Sequence, residues 1–218
     1  MARPTVGPLR NRAGRGSPLS CVRPVRKPRV ETFLVSITTV AAAEMGDRTQ
    51  LLSLVLVARY GQPWPILAGV FLATLASHSA AGLIGASFGS FLTPTIVDAA
   101  VGVGMIGMGL WTLCPDTLED GAELRRTNAF TATLVAFFVA EIGDKTQIAA
   151  IALAAAYANL PVVIAGTTCG LMAAVIPVVF LGKAFADRLP IKTIHVGAVI
   201  GFTILGAVFL ARAFMSQG

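Results

Sequence analysis

Charged side chains are scarce in this sequence. Lys, Arg, Asp and Glu make up 13% of the 218 residues, hydrophobic residues make up 55%, and the mean hydropathy is +0.76. A water-soluble domain usually carries about a quarter charged residues. The deficit excludes an ordinary soluble domain and indicates a chain that lies mostly within a lipid bilayer.

Cysteine is also rare, and acidic residues are absent from the first 30 positions. Cys21, Cys114 and Cys169 form no C-x-x-C pair, which excludes a disulfide framework and a thiolate metal site. Residues 1–30 combine eight Arg or Lys with several Pro and Gly, which is typical of a disordered tail that can bind anionic lipid head groups. No nucleic-acid-binding motif accompanies the basic charge, and no signal peptide fits. The alternative is a true start of translation near Val30.

Long apolar runs dominate the rest of the chain. Each of six runs is long enough to cross a hydrocarbon core, which takes about 20 helical residues. The short connections leave no room for a soluble domain, so we predict an all-α membrane protein with six transmembrane helices. The runs are residues 33–58, 65–88, 95–114, 129–157, 161–183 and 194–214.

Two of these runs carry the same charged motif, AEMGDRTQ at residues 43–50 and AEIGDKTQ at residues 140–147. The 97-residue offset also aligns Phe33 with Phe130 and Gly69 with Gly166. The chain therefore divides into two three-helix repeats, residues 31–113 and 129–218, joined by the polar linker 114–128. An odd number of spans per repeat predicts inverted topology, with the two motifs meeting near the membrane midplane.

The orientation is predicted from the basic residues of the loops. Without the tail, most of them flank the loops on the side of the central linker, which the positive-inside rule assigns to the cytoplasm, with both termini outside. The basic tail argues for the reverse orientation. The linker-side residues are Arg59, Arg125, Arg126, Lys183, Arg188 and Lys192.

The motif charges need a purpose, because one charged side chain at the bilayer centre costs roughly 2.5–3.5 kcal/mol. On a continuous helix, the acids and the glutamine of each motif would share one face. Gly46 and Gly143 would allow either close helix approach or local unwinding. The two equivalent sets are Glu44, Asp47, Gln50 and Glu141, Asp144, Gln147.

Oxygen ligands of this kind suit hard divalent cations such as Mn²⁺ and Ca²⁺. The four carboxylates carry −4, and Arg48 with Lys145 returns +2, which leaves −2 for one divalent cation or two protons. This balance is what a cation/proton exchanger requires. The competing interpretation is that each acid pairs with its neighbouring base and only joins helices. Accessory candidates are Arg48, Thr49, Ser77, His78, Lys145 and Thr146, of which His78 is either a proton relay or ligand or an interhelical contact.

The doubled EMGDRTQ and EIGDKTQ resemble the E-x-G-D-[KR]-T-Q signature of the calcium/manganese:proton antiporter family. The likeness extends from about Val30 to the C-terminus. It implies export of a divalent cation, chiefly manganese in bacteria, with Glu44, Asp47, Glu141 and Asp144 as ligands and Gln50 and Gln147 as further oxygens. Bacterial members tend to carry Asn where this chain has Ser77 and Ala174, and Lys where it has Arg48.

We therefore expect a multi-pass inner-membrane transporter, not an enzyme, that exports Mn²⁺ or Ca²⁺ in exchange for H⁺. Its partners would be the ions, the lipid bilayer and a second copy of the chain in a homodimer, without nucleic acid and without a resident cofactor. The alternatives are an exporter of a small organic cation or amino acid, an intramembrane enzyme and a scaffold that transports nothing. Near the motifs we find neither an aromatic pocket for an organic substrate nor a nucleophile–His pair for catalysis.

Overall fold

The computed structural model describes residues 28–111, 127–182 and 191–216, and in this part of the chain every regular element is an α-helix. The predicted N-terminal tail up to residue 27 and most of the polar linker lie outside the described residues. The helices are α1 (Arg29–Glu44), α2 (Arg48–Tyr60), α3 (Pro63–Phe91), α4 (Pro94–Trp111), α5 (Ala129–Glu141), α6 (Lys145–Ala156), α7 (Leu160–Leu181) and α8 (Ile191–Met215).

The burial pattern is that of a membrane protein. Large apolar side chains such as Phe91 and Phe214 are exposed, whereas Glu44, Glu141 and His78 are completely buried. A water-soluble protein distributes these residue types the other way round. Helices α3, α4 and α7 and the Val196–Met215 part of α8 are long and apolar enough to cross a membrane, and α5 and α6 are shorter apolar helices. The chain is therefore an all-helical membrane protein.

The helix ends follow local sequence chemistry. Helix α2 stops at Gly61, which adopts the left-handed conformation and donates its N–H to the Val57 carbonyl, and Pro63 then opens α3. Asn128 caps α5 by accepting a hydrogen bond from the Thr131 N–H. These caps place the helix boundaries where residue type alone would put them.

Two of the six predicted spans are interrupted in the middle. Helix α1 ends at Glu44 and α2 begins at Arg48, and in the same way α5 ends at Glu141 and α6 begins at Lys145. The intervening glycines have positive φ, 79° at Gly46 and 74° at Gly143. A Cβ on Gly143 would meet no atom within 4 Å, so this glycine serves chain unwinding and not close helix packing.

The two halves pack against each other through equivalent contacts. A Cβ on Gly69 of α3 would lie 2.9 Å from the Thr133 Cβ of α5, and a Cβ on Gly166 of α7 would lie 2.7 Å from the Ser36 Cβ of α1. Each residue of the second contact is related to one of the first by the 97-residue offset. The small residues let these helices approach closely, as in other membrane interfaces.

Glycine contacts also fix the helix directions. Along α3, Gly69 meets α5 and Gly89 meets Ala155 of α6, so α3 runs in the same direction as the broken α5–α6 segment. Along α4, Gly102 meets Leu210 and Gly109 meets Phe202, so α4 and α8 run in opposite directions. The core therefore consists of α3 and α7, each packed on the interrupted segment of the other half, with α4 and α8 paired beside them.

A candidate cation site at two broken helices

Both motifs fold into the same interruption. Met45 and Ile142 leave the helix in extended conformation, the following glycine takes a positive φ, and Asp47 and Asp144 then take the N-cap positions of α2 and α6. In each break the aspartate N–H donates to the preceding glutamate carbonyl at 3.1 Å. The carbonyl end of one half-helix and the N–H end of the next thus meet at the motif, which gives the site fixed partial charges of both signs.

The motif glutamines brace these breaks. The Gln50 side-chain oxygen accepts from the Gly46 N–H at 2.9 Å, and the Gln147 oxygen accepts from the Gly143 N–H at 2.9 Å. Each amide nitrogen then donates to the other half, from Gln147 to Ser77 Oγ at 3.2 Å and from Gln50 to the backbone carbonyl of Ala174 at 3.0 Å. Each glutamine therefore ties its own helix break to the long helix of the opposite half.

Three motif carboxylates come together at the breaks. One oxygen each of Glu44, Asp47 and Asp144 lies within 4.8 Å of the other two, and all three side chains are buried. The Glu44 Oε2 atom has no hydrogen-bond partner in the described part of the chain. Buried carboxylate oxygens at this separation can be bridged by one cation, which would offset both their desolvation and their mutual repulsion.

The basic residues of the motifs pair across the two halves. Arg48 Nη2 lies 3.2 Å from Asp144 Oδ1, and Lys145 Nζ lies 2.5 Å from Asp47 Oδ1. The 97-residue offset converts one pair into the other. The Lys145 side chain is 2% exposed and that of Arg48 is 35% exposed. The Lys145–Asp47 pair is therefore buried, whereas the Arg48–Asp144 pair reaches the edge of the site.

The motif threonines, although equivalent, hold different acids. Thr49 Oγ1 donates to Glu44 Oε1, whereas Thr146 Oγ1 donates to Asp144 Oδ2 at 2.9 Å and the Thr146 N–H donates to the same oxygen at 3.2 Å. The second arrangement is an ordinary N-cap, in which the Asp side chain satisfies an N–H of the first helical turn.

Glu141 is not one of the three acids whose oxygens lie within 4.8 Å of one another in the described residues. Its Oε1 accepts a hydrogen bond of 2.5 Å from Thr74 Oγ1 of α3, and its side chain is completely buried. One helical turn beyond Thr74 lies His78, which is also completely buried and has no partner on either ring nitrogen within the described residues. The wall behind Glu141 is therefore polar, whereas the equivalent α7 positions are Leu171 and Val175.

The structure brings all six predicted motif residues to the two breaks, but the backbone that carries them differs from the predicted continuous helix. The expectation that the acids and glutamine of each motif share one helical face is wrong, because the helix ends between the glutamate and the aspartate. Arg48 and Lys145 each form an ion pair with the aspartate of the opposite motif, whereas the competing interpretation placed the pairs between neighbours in sequence. Ser77 contacts the site by accepting a hydrogen bond from the Gln147 amide nitrogen.

The sequence analysis did not predict two groups that bind motif side chains, the Thr74 hydroxyl and the Ala174 carbonyl. Thr74 lies three residues before Ser77 and four before His78, so its helical spacing was the signal that it shares their face. The contribution of the Ala174 carbonyl could not be predicted from residue type, because every residue has a backbone carbonyl. Its neighbour Pro177 lies inside α7, and a proline there loosens the local helix and makes backbone carbonyls available to other donors.

The donor set limits the chemistry of this site. The clustered side-chain atoms are carboxylate oxygens, with threonine hydroxyls and glutamine amides around them, and the described Cys169 is exposed elsewhere on α7. Oxygen-only sites favour Mg²⁺, Ca²⁺ and Mn²⁺ over softer metals. The ammonium of Lys145 and the guanidinium of Arg48 carry no lone pair for a metal, so they act as counter-ions of the aspartates.

Comparison with known proteins agrees with this chemistry. The family profile described as "Divalent cation/proton antiporter GDT1" matches the chain twice, at residues 32–120 and 129–217. A Vibrio cholerae protein named "Putative manganese exporter" is 46% identical over 197 residues, which cover 89% of this chain and 97% of the relative. A GDT1-like protein of Synechocystis is 30% identical, over 74% of this chain and 88% of the relative. No solved structure matches the chain.

Proposed function

The chain belongs to the GDT1 family of divalent cation/proton antiporters, a family of transporters and not of enzymes, and we propose that it exports Mn²⁺ in exchange for protons. The observation that carries the proposal is the cluster of Glu44, Asp47 and Asp144, three buried carboxylates contributed by two broken helices. We propose Mn²⁺ as the substrate, and not Ca²⁺, because the Vibrio relative is named as a manganese exporter.

We assign the cation ligands to the motif acids. Glu44, Asp47 and Asp144 supply the first oxygens, and Glu141 is a candidate ligand as the repeat equivalent of Glu44. The Gln50 and Gln147 oxygens each accept one glycine N–H, and the second lone pair of each amide oxygen stays available to a cation.

Charge balance supports proton exchange. Asp47 and Asp144 are neutralised by the cross-motif pairs with Lys145 and Arg48, so the glutamates carry the remaining negative charge. One divalent cation or two protons would balance two carboxylates. Because a site that binds either one in turn couples their opposite movements, it has the property that an antiporter needs.

The proposed architecture is six spans in two inverted repeats within the inner membrane. The interrupted α1–α2 and α5–α6 segments would each form one span, and the repeats 31–113 and 129–218 would rock around the midplane site. The equivalent contacts of Gly69 and Gly166 support this arrangement. The central linker would face the cytoplasm and both termini the outside, so that Mn²⁺ leaves towards the terminal side.

Transport by purified protein in liposomes tests this proposal. We expect an imposed pH gradient to drive ⁵⁴Mn²⁺ across the membrane in wild-type vesicles, and the Asp144→Asn variant to lose this movement. Asparagine is as good an N-cap as aspartate, so this change removes the charge and keeps the start of α6. Glu31→Gln, which alters an exposed acid at the start of α1, is the matched control and should transport normally.

Two results would contradict the proposal. Movement of Ca²⁺ without Mn²⁺ would keep the antiporter mechanism but replace the substrate. If correctly inserted protein moves no divalent cation, the site serves another cargo, and the exporter of a small organic cation becomes the better interpretation.

A further inference from the structure

The two motif glutamates occupy different environments although the repeat relates them by the 97-residue offset. Glu44 lies within 4.8 Å of both aspartates, measured between carboxylate oxygens. Within the described residues Glu141 joins no such group, and Thr74 holds it on α3. The 97-residue offset relates Asp47 to Asp144 and Glu44 to Glu141. A cluster of Glu141, Asp47 and Asp144 would therefore have the same composition as the observed cluster.

The two motif threonines, like the two glutamates, are equivalent in sequence but have different hydrogen-bond partners. Thr49 donates to the glutamate of its motif, and Thr146 donates to the aspartate of its motif. Applying the offset to this pattern yields a second arrangement in which Thr146 holds Glu141 and Thr49 holds Asp47. The chain contains every side chain that this second arrangement needs.

We propose that the site uses one motif glutamate at a time, Glu44 in the conformation described here and Glu141 in the opposite access state. The inference rests on the proposed antiporter function and assigns the two glutamates separate roles within it. Asp47 and Asp144 remain in the site in both states, and the glutamates alternate. Like charges repel strongly in a low-dielectric interior, so withdrawing the fourth carboxylate lowers the cost of assembling the other three.

Thr74 gives the two proposed access states different numbers of buried hydrogen bonds. Thr74 donates a hydrogen bond to Glu141, whereas the equivalent position on α7 is Leu171, which has no hydroxyl to bind Glu44. The conformation with Glu44 in the cluster therefore has one additional buried hydrogen bond that its counterpart lacks. Removing the Thr74 hydroxyl should release Glu141 towards the aspartates.

Equilibrium Mn²⁺ binding to the detergent-solubilised protein, read from the loss of the free-ion electron paramagnetic resonance signal, separates the two glutamates. Glu44→Gln should weaken binding about tenfold or more, because ligand charge count sets the affinity of oxygen sites. Glu141→Gln should bind within about twofold of wild type. Both variants should lose pH-driven ⁵⁴Mn²⁺ exchange in liposomes, since each lacks one of the two access states.

A double variant provides the decisive comparison. Thr74→Val in the Glu44→Gln background should recover Mn²⁺ binding towards the wild-type value, because the released Glu141 supplies the carboxylate that the site has lost. Glu31→Gln is the control for loss of an acid outside the site, and gel filtration with tryptophan fluorescence checks that every variant is folded.

Three outcomes would overturn the proposal. Equal loss of binding in the two single variants would indicate a site that uses all four carboxylates together. Unchanged binding in both would leave the aspartates as the ligands, and failure of Thr74→Val to restore binding would remove the alternation. If the wild-type protein binds no Mn²⁺, Ca²⁺ or other divalent ion, the proposed function itself fails, which is a different result from any of these.

Discussion

The ion pairs between the motifs differ in burial, and this difference makes them separable by mutation. Lys145 is enclosed and contacts Asp47, which is also completely buried, whereas Arg48 reaches Asp144 from the edge of the site. Removing the base of either pair leaves a buried aspartate without its counter-ion, but Asp144 keeps two hydrogen bonds from Thr146 and lies beside the partly exposed position of Arg48.

We therefore predict that Lys145→Gln destabilises the protein by about 3 kcal/mol or more, and that Arg48→Gln destabilises it by less. The measurement is the thermal unfolding midpoint of the two variants in the same detergent. Lys145→Arg is the matched control, because it keeps the charge and changes only its geometry. Equal shifts for Lys145→Gln and Arg48→Gln would contradict the burial argument.

The interrupted helix is the element that turns a sequence motif into a site. A continuous helix would carry Glu44 and Asp47 on one face with every backbone carbonyl occupied, whereas the break presents two half-helix ends to the site. Gly46 and Gly143 make this possible, since an L-residue at positive φ costs about 1–2 kcal/mol. The Gln50 and Gln147 oxygens then satisfy the glycine N–H groups that the break exposes.

This element can be tested with a pair of glycine substitutions. Gly143→Ala should destabilise the protein by about 1–2 kcal/mol and reduce transport, because the strain comes from backbone conformation and not from a steric clash. Gly104→Ala lies in the middle of α4 with no atom within 4 Å of the added Cβ. It should be neutral or stabilise by up to about 1 kcal/mol, as alanine does in a helix. Thermal unfolding and ⁵⁴Mn²⁺ exchange of both variants provide the comparison.

At the scale of the whole molecule, each half completes the other. The aspartate of each motif is neutralised by the base of the opposite motif, and each motif glutamine donates to the long helix of the opposite half. Neither half alone would contain a paired site. Any rocking of one repeat against the other therefore acts directly on the ion pairs and hydrogen bonds that surround the carboxylates.

Inverted topology has a direct test in two equivalent loops. Gln62 precedes α3 and Asn159 precedes α7, and the 97-residue offset relates them. In a cysteine-free background, we predict that Gln62→Cys reacts with a membrane-impermeant maleimide only from the cytoplasmic side, and Asn159→Cys only from outside. A parallel repeat would put both cysteines on one side of intact cells, and labelling after permeabilisation checks that each thiol is reactive.

The sequence by itself determined the class of the protein and the residues of its candidate site. Low charge content and apolar runs of about 20 residues indicate a membrane environment, because each run can cross the hydrocarbon core as a helix that satisfies its own backbone hydrogen bonds. The repeated motif identified the six residues that the structure gathers at the two breaks, since buried charges in apolar runs need either partners or a cargo.

Only the tertiary structure decided how those residues are used. Residue type does not reveal that Lys145 pairs with Asp47, because this partner is 98 positions away in sequence and is adjacent only in space. The same reason explains why Thr74 escaped prediction and why Glu44 and Glu141, identical in their motifs, differ in surroundings. A motif fixes which atoms are available, whereas the packing of α3 and α7 against the broken helices fixes which of them meet.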